Sequence, residues 1–391
     1  MLAKTSGQKV LKQLNKAGYG AYFVGGMVRD TLLNRKLADV DIATGATPEV
    51  VLDLFDQTIV TGLQHGTVTV VIDGEQIEVT TFRLDGQYLD HRRPDRVVFT
   101  RSLLEDLARR DFTINAMAQG LDGELIDPFN GQVDLKANLI RAVGDDPKAR
   151  FKEDALRILR GIRFVAKLGF DVEKKTLEAM KACRNLLANL SLERIRKELE
   201  GIIEGEYRAK AFEIMLSGQL FDAIPYFLGL GNYEIKTLAK VDVFKLMILM
   251  ATCTCGDVKG FFDNFPLTRD EKKLIKDFDR AHLEFKEVER DVLIHYYFGS
   301  ETARLIKKYH HLKKNDVTFT FDPPRLPIAS RSDLAIQPDE VIRRSGNLSG
   351  AWVGRLFTEM EEAVVLGKIE NNCHSLAAFI KERGIFDEKE D

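Results

Sequence analysis

The segment from Tyr22 to Asp41 constrains this chain more than any other part of its sequence. Apolar residues Ala21 to Val24 run into Gly25-Gly26, a short amphipathic stretch carries Arg29 and Asp30, and Asp39-Val40-Asp41 follows ten residues beyond Arg29. The pattern reads as strand, tight turn, short helix and second strand. Residues i and i+2 of a strand point to the same face, roughly 7 Å apart along the chain, so Asp39 and Asp41 are expected to converge on one spot. Two convergent carboxylates suit one or two Mg²⁺ ions, which take hard oxygen ligands and are usually completed by substrate phosphates. Gly25 and Gly26 let the backbone approach an anion closely, the following helix start offers free N–H groups, and Arg29 adds a fork of donors. A lone Gly-Gly is a tight turn and a lone Asp-x-Asp a solvated loop edge. In this order and spacing they sum to a triphosphate site.

The 391 residues are too many for one ordinary core, so two to four domains are expected. A hydrophobic content of 45% with 30% charged residues describes a soluble globular chain. Its net charge of -3 argues against a polyanion partner over the whole surface, so a nucleic-acid interface has to be a local patch. No apolar run approaches the roughly 20 residues of a membrane span, and Met-Leu-Ala-Lys at the start lacks a signal h-region. The cytoplasm is the expected location, with no membrane partner. Cys183, Cys253, Cys255 and Cys373 show no zinc spacing and read as reduced thiols.

Residues 1 to 20 read as a short helix ending near Gly18 or Gly20, and Thr47-Pro48-Glu49 as a helix start. Residues 67 to 82 alternate as a hairpin about Asp73-Gly74. Strands and helices mix up to about residue 140, and helical periodicity takes over from about 150. Breaks at Gly144-Asp145-Asp146-Pro147, at Gly218 to Gly231 and at Asp322-Pro323-Pro324 punctuate the chain. The expected class is α+β, a mixed β-sheet head over residues 1–145 followed by all-helical parts over 146–215, 216–320 and 321–391.

Three further constellations carry chemistry. The run from Asp85 through Asp90 to Arg92, Arg93 and Pro94 is too charged and too punctuated to be core, and reads as a surface loop. Arg109-Arg110-Asp111-Phe112-Thr113-Ile114-Asn115-Ala116 pairs arginines that can neutralise triphosphate oxygens with Asp111 and Asn115, which as i and i+4 on a helix would reach ribose hydroxyls. Glu153-Asp154 with Arg157, Arg160 and Arg163 reads as one helix on which Asp154 and Arg157 face the same ligand edge. An ionised Asp only accepts and an Arg only donates. That pair matches the Watson-Crick edge of cytosine and adenine, each of which sets an amino donor beside a ring-nitrogen acceptor, and rejects uracil and guanine. An isolated pair of this kind would be a surface salt bridge. Arg160 and Arg163 wind away from Asp154 and would support the pocket or reach phosphate.

The Gly-Gly-x-x-Arg-Asp and Asp-x-Asp signature resembles the nucleotidyltransferases of the DNA polymerase beta superfamily. Arg-Arg-Asp-Phe-Thr-x-Asn-Ala and Glu-Asp-x-x-Arg narrow the resemblance to the tRNA nucleotidyltransferase/poly(A) polymerase family, class II. The resemblance implies a head, neck, body and tail, with tRNA docking on the tail, and addition of C, C and A to the tRNA 3′ end from CTP and ATP. It also implies Mg²⁺ held by Asp39 and Asp41, triphosphate and ribose contacts from Gly25, Gly26, Arg29, Arg110, Asp111 and Asn115, and base recognition by Asp154 and Arg157 with Arg160 and Arg163. The loop carrying Asp85, Asp90, Arg92 and Arg93 is implied in the switch from adding C to adding A. Glu78 is a candidate third carboxylate or an alternating solvent-facing residue. Lys307 to Lys314 suits RNA phosphate or a solvated helix face. Within enzymes the alternative is a bacterial poly(A) polymerase, and outside them an RNA-binding protein with an inactive head; DNA is not an expected partner. Intact Asp39, Asp41, Arg110, Asp154 and Arg157 speak against decay.

Overall fold

A computed structural model describes every residue except Met1, Ala38, 86–96, 285–289, 315–318, 347–348 and 386–391. The chain divides into two compact units, residues 1–244 with 254–266 and residues 245–253 with 267–391.

The first unit opens with helix α1 (Leu2–Lys16), whose Val10, Leu11 and Leu14 are fully buried. Strands β1 (Ala21–Val24), β2 (Asp41–Thr44), β3 (Thr58–Gly62), β4 (Thr67–Ile72) and β5 (Glu75–Thr81) follow. Helices α2 (Gly26–Leu32) and α3 (Pro48–Leu54) are interleaved with them. Two short strands, β6 (Arg83–Asp85) and β7 (Val97–Phe99), pair antiparallel as a separate two-stranded sheet at the ends of the segment expected to be a loop. Among the described residues β8 (Ala118–Gln119) and β9 (Leu125–Ile126) complete a seven-stranded sheet of order β3-β4-β5-β2-β1-β8-β9. The expected hairpin is β4-β5. Its turn, Asp73 at φ 52 and Gly74 at φ 77, is doubly left-handed, as the right-handed twist of paired strands demands. Asp73 accepts from Ser6 Oγ at 3.1 Å and Lys9 Nζ at 2.8 Å, fastening the hairpin tip to α1.

Alternation decides what each sheet face carries. Ile77, Val79 and Thr81 of β5 are buried, so Glu78 points the other way, toward the side of Asp41 and Ala43. On that side helix α4 (Leu103–Ala108) seats Leu107 in a cluster with Val24, Ala43, Phe82 and Ala118. Helix α5 (Gly131–Lys136) follows. Asp127 caps its start by accepting from the Gly131 and Gln132 N–H groups at 2.7 and 2.9 Å, so Asp127-Pro128-Phe129 is a structural turn.

Strand β10 (Leu139–Ile140) pairs in parallel with β11 (Asp171–Val172), and Asp146 caps the next helix from the expected break, with Pro147 in its first turn. Helices α6 (Pro147–Glu153), α7 (Leu156–Leu168), α8 (Lys174–Cys183), α9 (Leu192–Ile203) and α10 (Arg208–Ser217) form the helical part behind the sheet. Helices α7 and α9 approach closely at Gly201, where a Cβ would come within 2.5 Å of Arg163 Cδ. The expected continuous helix through Glu153 and Arg163 is not present. Asp154 is extended (φ -142, ψ 104), and its Oδ1 accepts from the Leu156 N–H at 3.1 Å, so its side chain starts α7 instead of riding on α6.

Short helices α11 (Ile235–Leu238), α12 (Phe244–Thr252) and α13 (Val258–Asn264) follow. The second unit contains all of α12 but its first residue, with α14 (Arg269–Glu284), α15 (Arg290–Lys313, bent at Gly299), α16 (Pro338–Ser345), α17 (Ala351–Val365) and α18 (Cys373–Lys381). Its buried Glu361 accepts from the Tyr296 hydroxyl at 2.9 Å and Arg331 Nε at 2.7 Å. In the basic run from Lys307 to Lys314, Lys308, Tyr309 and Leu312 are buried, so part of that run is core. No described helix is long and apolar enough to cross a membrane.

Candidate active site

The chain leaves β1 through Gly25 at φ 64, ψ -129, and enters α2. A Cβ on Gly25 would stand 3.1 Å from Arg110 Nη1 and 3.8 Å from Asp41 Oδ2, so glycine is required by backbone conformation and by the approach of both groups. Asp41 opens β2, where Phe23 of β1 pairs antiparallel with Ile42, while Asp41 itself is in parallel register with Glu78 of β5. The three carboxylates of Asp39, Asp41 and Glu78 crowd one edge of the sheet. Burial, then the charge of Glu78, push the Asp41 carboxyl up to about 6, with Asp39 adding to the rise and Arg110 and Arg29 opposing it. Asp39 precedes the strand and is exposed, so the two aspartates are not strand neighbours as expected.

A carboxyl held that high by burial, with like charges beside it, gains from a cation, and hard oxygen donors are what Mg²⁺ takes, so the donor set fits a divalent ion. Among the described residues no group of three or more His, Cys, Asp or Glu side chains is already gathered at metal-holding geometry. Phosphate oxygens of a substrate would have to complete the shell.

Arg110 is the cation facing this edge. Its Nη2 donates to Asp106 Oδ2 at 3.0 Å, its Nη1 reaches the Asn115 carbonyl at only 3.5 Å, and its Nε is buried without a hydrogen-bond partner. Arg29, expected to meet the triphosphate, is instead 3% exposed. It holds Asp30 through two bonds, at 2.8 and 2.9 Å, and donates to Asn115 Oδ1 at 2.7 Å. Burial of the first turn of α2 turns this arginine inward, where it fixes the turn instead of reaching out.

Asn115 passes the contact on, donating to Asp111 Oδ1 at 3.1 Å. The two residues meet as expected but not on a helix, because α4 ends at Ala108 and Asn115 lies in a 3₁₀ turn. Both are buried, which removes them from direct reach of a ribose in this conformation. Asp111 Oδ2 accepts from Arg160 Nε and Nη2 at 2.7 and 2.6 Å. Burial alone would raise its carboxyl. The Arg160 charge and the bonds from Asn115, Arg160 and the Phe112 N–H outweigh that and bring it down to about 2. Arg163 donates to Glu198 at 2.6 Å, and the guanidinium groups of Arg29 and Arg163 lie 5.3 and 5.1 Å from the Phe164 ring. Arg160 thus ties the head to α7, and Arg163 ties α7 to α9.

Asp154 and Arg157 do not share an edge in this structure. Asp154 Oδ2 accepts from Arg194 Nη2 at 2.7 Å. Arg157, 6% exposed, donates to Glu153 Oε2 at 2.6 Å, to the Arg150 carbonyl at 3.1 Å and to the Arg109 carbonyl at 3.0 Å. The break at Asp154 separates the two side chains that an unbroken helix would have aligned. Asp90, Arg92 and Arg93 lie outside the described residues, as does the side chain of Asp85. Residue-by-residue reading missed Asp106 and Arg150. Asp106 had a signal, standing three and four residues before Arg109 and Arg110.

A glycine turn into a short helix, acids at the head of the next strand and another in register across the sheet define a metal-dependent nucleotidyltransferase head. The family model described as the poly A polymerase head domain matches residues 21–141. One described as a probable RNA- and SrmB-binding site of polymerase A matches 169–228, and a putative tRNA nucleotidyltransferase domain 2 matches 240–380. The CCA-adding enzyme of Geobacillus sp. (strain WCH70) is 36% identical over 96% of each chain, and that of Lactobacillus gasseri 40% identical, also over 96% of each. The crystal structure of the Bacillus stearothermophilus CCA-adding enzyme in complex with CTP superposes with a TM-score of 0.76 at 32% identity, covering 97% of both chains. This chain belongs to the CCA-adding enzymes, a family of divalent-metal-dependent nucleotidyltransferases.

Proposed function

We propose that this protein adds C, C and A in turn to the 3′ end of tRNA, taking CTP and ATP, using Mg²⁺ and acting in the cytoplasm. In each step the tRNA 3′-hydroxyl oxygen bonds to the α-phosphorus, the bond from that phosphorus to its bridging oxygen breaks, and pyrophosphate leaves. The observation that carries this reading is the placement of Asp41 beside Glu78, with Arg110 above Gly25, in a chain of this family. Asp39 and Asp41 would hold the ion and Glu78 would add negative charge beside them. When bound, the ion supplies positive charge that eases ionisation of the attacking hydroxyl and offsets charge on the departing pyrophosphate. Gly25 and Gly26 admit the triphosphate to the backbone N–H groups of the turn, and Arg110 meets it with the donors it has left over.

For base choice, Asp154 keeps acceptor capacity after serving Leu156 and Arg194, because a carboxylate offers about four lone-pair sites. It would take the amino hydrogen common to cytosine and adenine. Arg157 would donate to the ring nitrogen after exchanging its bond to Glu153 for the base. The segment 85–93 would retune that pair for the final A. Residues 1–145, 146–215, 216–320 and 321–391 would serve as head, neck, body and tail, the last docking tRNA.

Purified protein given a tRNA that lacks its end should add two nucleotides with CTP alone, none with ATP alone and three with both. Long runs of A from ATP alone would instead identify a poly(A) polymerase, and no product under any condition an inactive RNA-binding protein.

A further inference from the structure

Asp106 is a fully enclosed carboxylate that does not reach the surface, being 1% exposed. Helix α4, which carries it, is fixed at both ends. At its start Ser102 Oγ accepts from the Glu105 N–H at 3.3 Å and Thr100 Oγ1 from the Ser102 N–H at 3.1 Å, while Leu107 is locked into the cluster on the sheet. Asp106 Oδ1 accepts from Arg109 Nε and Nη2 at 3.0 and 2.7 Å and from the Arg83 N–H at 3.4 Å. Arg83 begins β6, so the carboxylate is held from two sides. Its other oxygen, Oδ2, takes Arg110 Nη2 at 3.0 Å. The Arg110 backbone is held as well, its carbonyl accepting from Arg150 Nη2 at 2.9 Å. One corner of the Arg110 guanidinium is therefore pinned, while the buried Nε has no partner and Nη1 has one long bond.

We propose that Asp106 is a positioning residue for nucleotide binding: it pins Arg110 by Nη2, so that Nη1, 3.1 Å from where a Gly25 Cβ would stand, stays directed at the triphosphate. A flexible arginine beside three carboxylates would otherwise fold onto Asp41 and neutralise the edge that needs a cation. With Nη2 engaged by Asp106, Arg110 serves the anion and leaves the acids to the metal. The burial of Asp106 would raise its carboxyl, yet Arg110 and Arg109 together hold it below the usual range, so it stays charged for this duty. The proposal rests on the reading of Arg110 as a triphosphate contact.

The test is steady-state CTP incorporation into tRNA lacking its end by Asp106→Asn, Arg110→Gln and the double variant. Asp106→Asn is expected to raise KM for CTP on the order of tenfold with a smaller change in kcat. In the Arg110→Gln background the same change should move KM by less than about twofold, since the group it acts through is gone. A KM rise that persists in that background would make Asp106 a general structural residue, and an unchanged KM in the single variant would overturn the proposal outright. If Arg110→Gln alone leaves KM where it was, the reading of Arg110 fails, a result distinct from either. Should Asp106→Asn not fold, Asp106→Glu keeps the buried charge but displaces it, and should show a smaller KM rise with the same cancellation.

Discussion

Asp41 and Asp111 are both partly or wholly enclosed aspartates of the head, and their surroundings drive them in opposite directions. At the sheet edge, burial and the neighbouring Glu78 and Asp39 push Asp41 up to about 6. At the junction with the helices, Arg160, Asn115 and the Phe112 N–H overcome burial and bring Asp111 down to about 2. One carboxylate is left short of positive charge and the other is saturated with donors. On the function proposed above, the uncompensated charge is where a cation and a triphosphate would be received, while the compensated chain Asp30-Arg29-Asn115-Asp111-Arg160 would be scaffold.

That contrast breaks most sharply on Asp41→Ala. Removing it should reduce nucleotide incorporation by at least about a thousandfold, while the thermal midpoint stays at or above that of the parent, because a strained acid has gone. Near-parental turnover at saturating Mg²⁺, or a large drop in the midpoint, would erase the distinction. Asp111→Asn should do the reverse, costing stability first. Leaving Arg160 without its anion should destabilise the fold by roughly 3 kcal/mol in urea titration, the low end for a broken buried pair because Arg160 is 37% exposed at its side chain. A loss under about 1 kcal/mol would make the network decorative.

The pH dependence sharpens the same comparison. Asp111 has a folded value below the roughly 4 of an unfolded aspartate, so its contribution is fully present above about pH 4 and is lost as pH falls toward about 2. Urea titrations of the parent and Asp111→Asn should therefore converge in that window, and parallel curves throughout would contradict the assignment. The smallest effect is expected at Asp154→Ala, where discrimination against UTP should fall by roughly tenfold to a hundredfold, one well-made base contact. A variant that loses rate but rejects UTP as the parent does would leave Arg194–Asp154 as a structural pair only.

The order of residues was enough to show the strand, glycine turn and short helix, because local periodicity and the demands of Gly25 on its backbone are near-neighbour effects. The hairpin about Asp73-Gly74, the break at Asp146-Pro147 and the passage from mixed sheet to helices were legible for the same reason. Partners distant in sequence were not. The register that sets Glu78 beside Asp41 depends on a parallel pairing across more than thirty residues, and no spacing rule encodes it. Arg29 reads as a substrate contact until burial against Asn115 turns it into a brace. Asp154 and Arg157 read as one helix face until the Asp154 carboxylate caps the next helix and breaks it. Sequence determined which charged groups this protein has. Only packing decided which of them are neutralised by one another and which, like Asp41 and Arg110, are left with unspent charge or donors, since desolvation and pairing depend on neighbours the chain brings together only when folded.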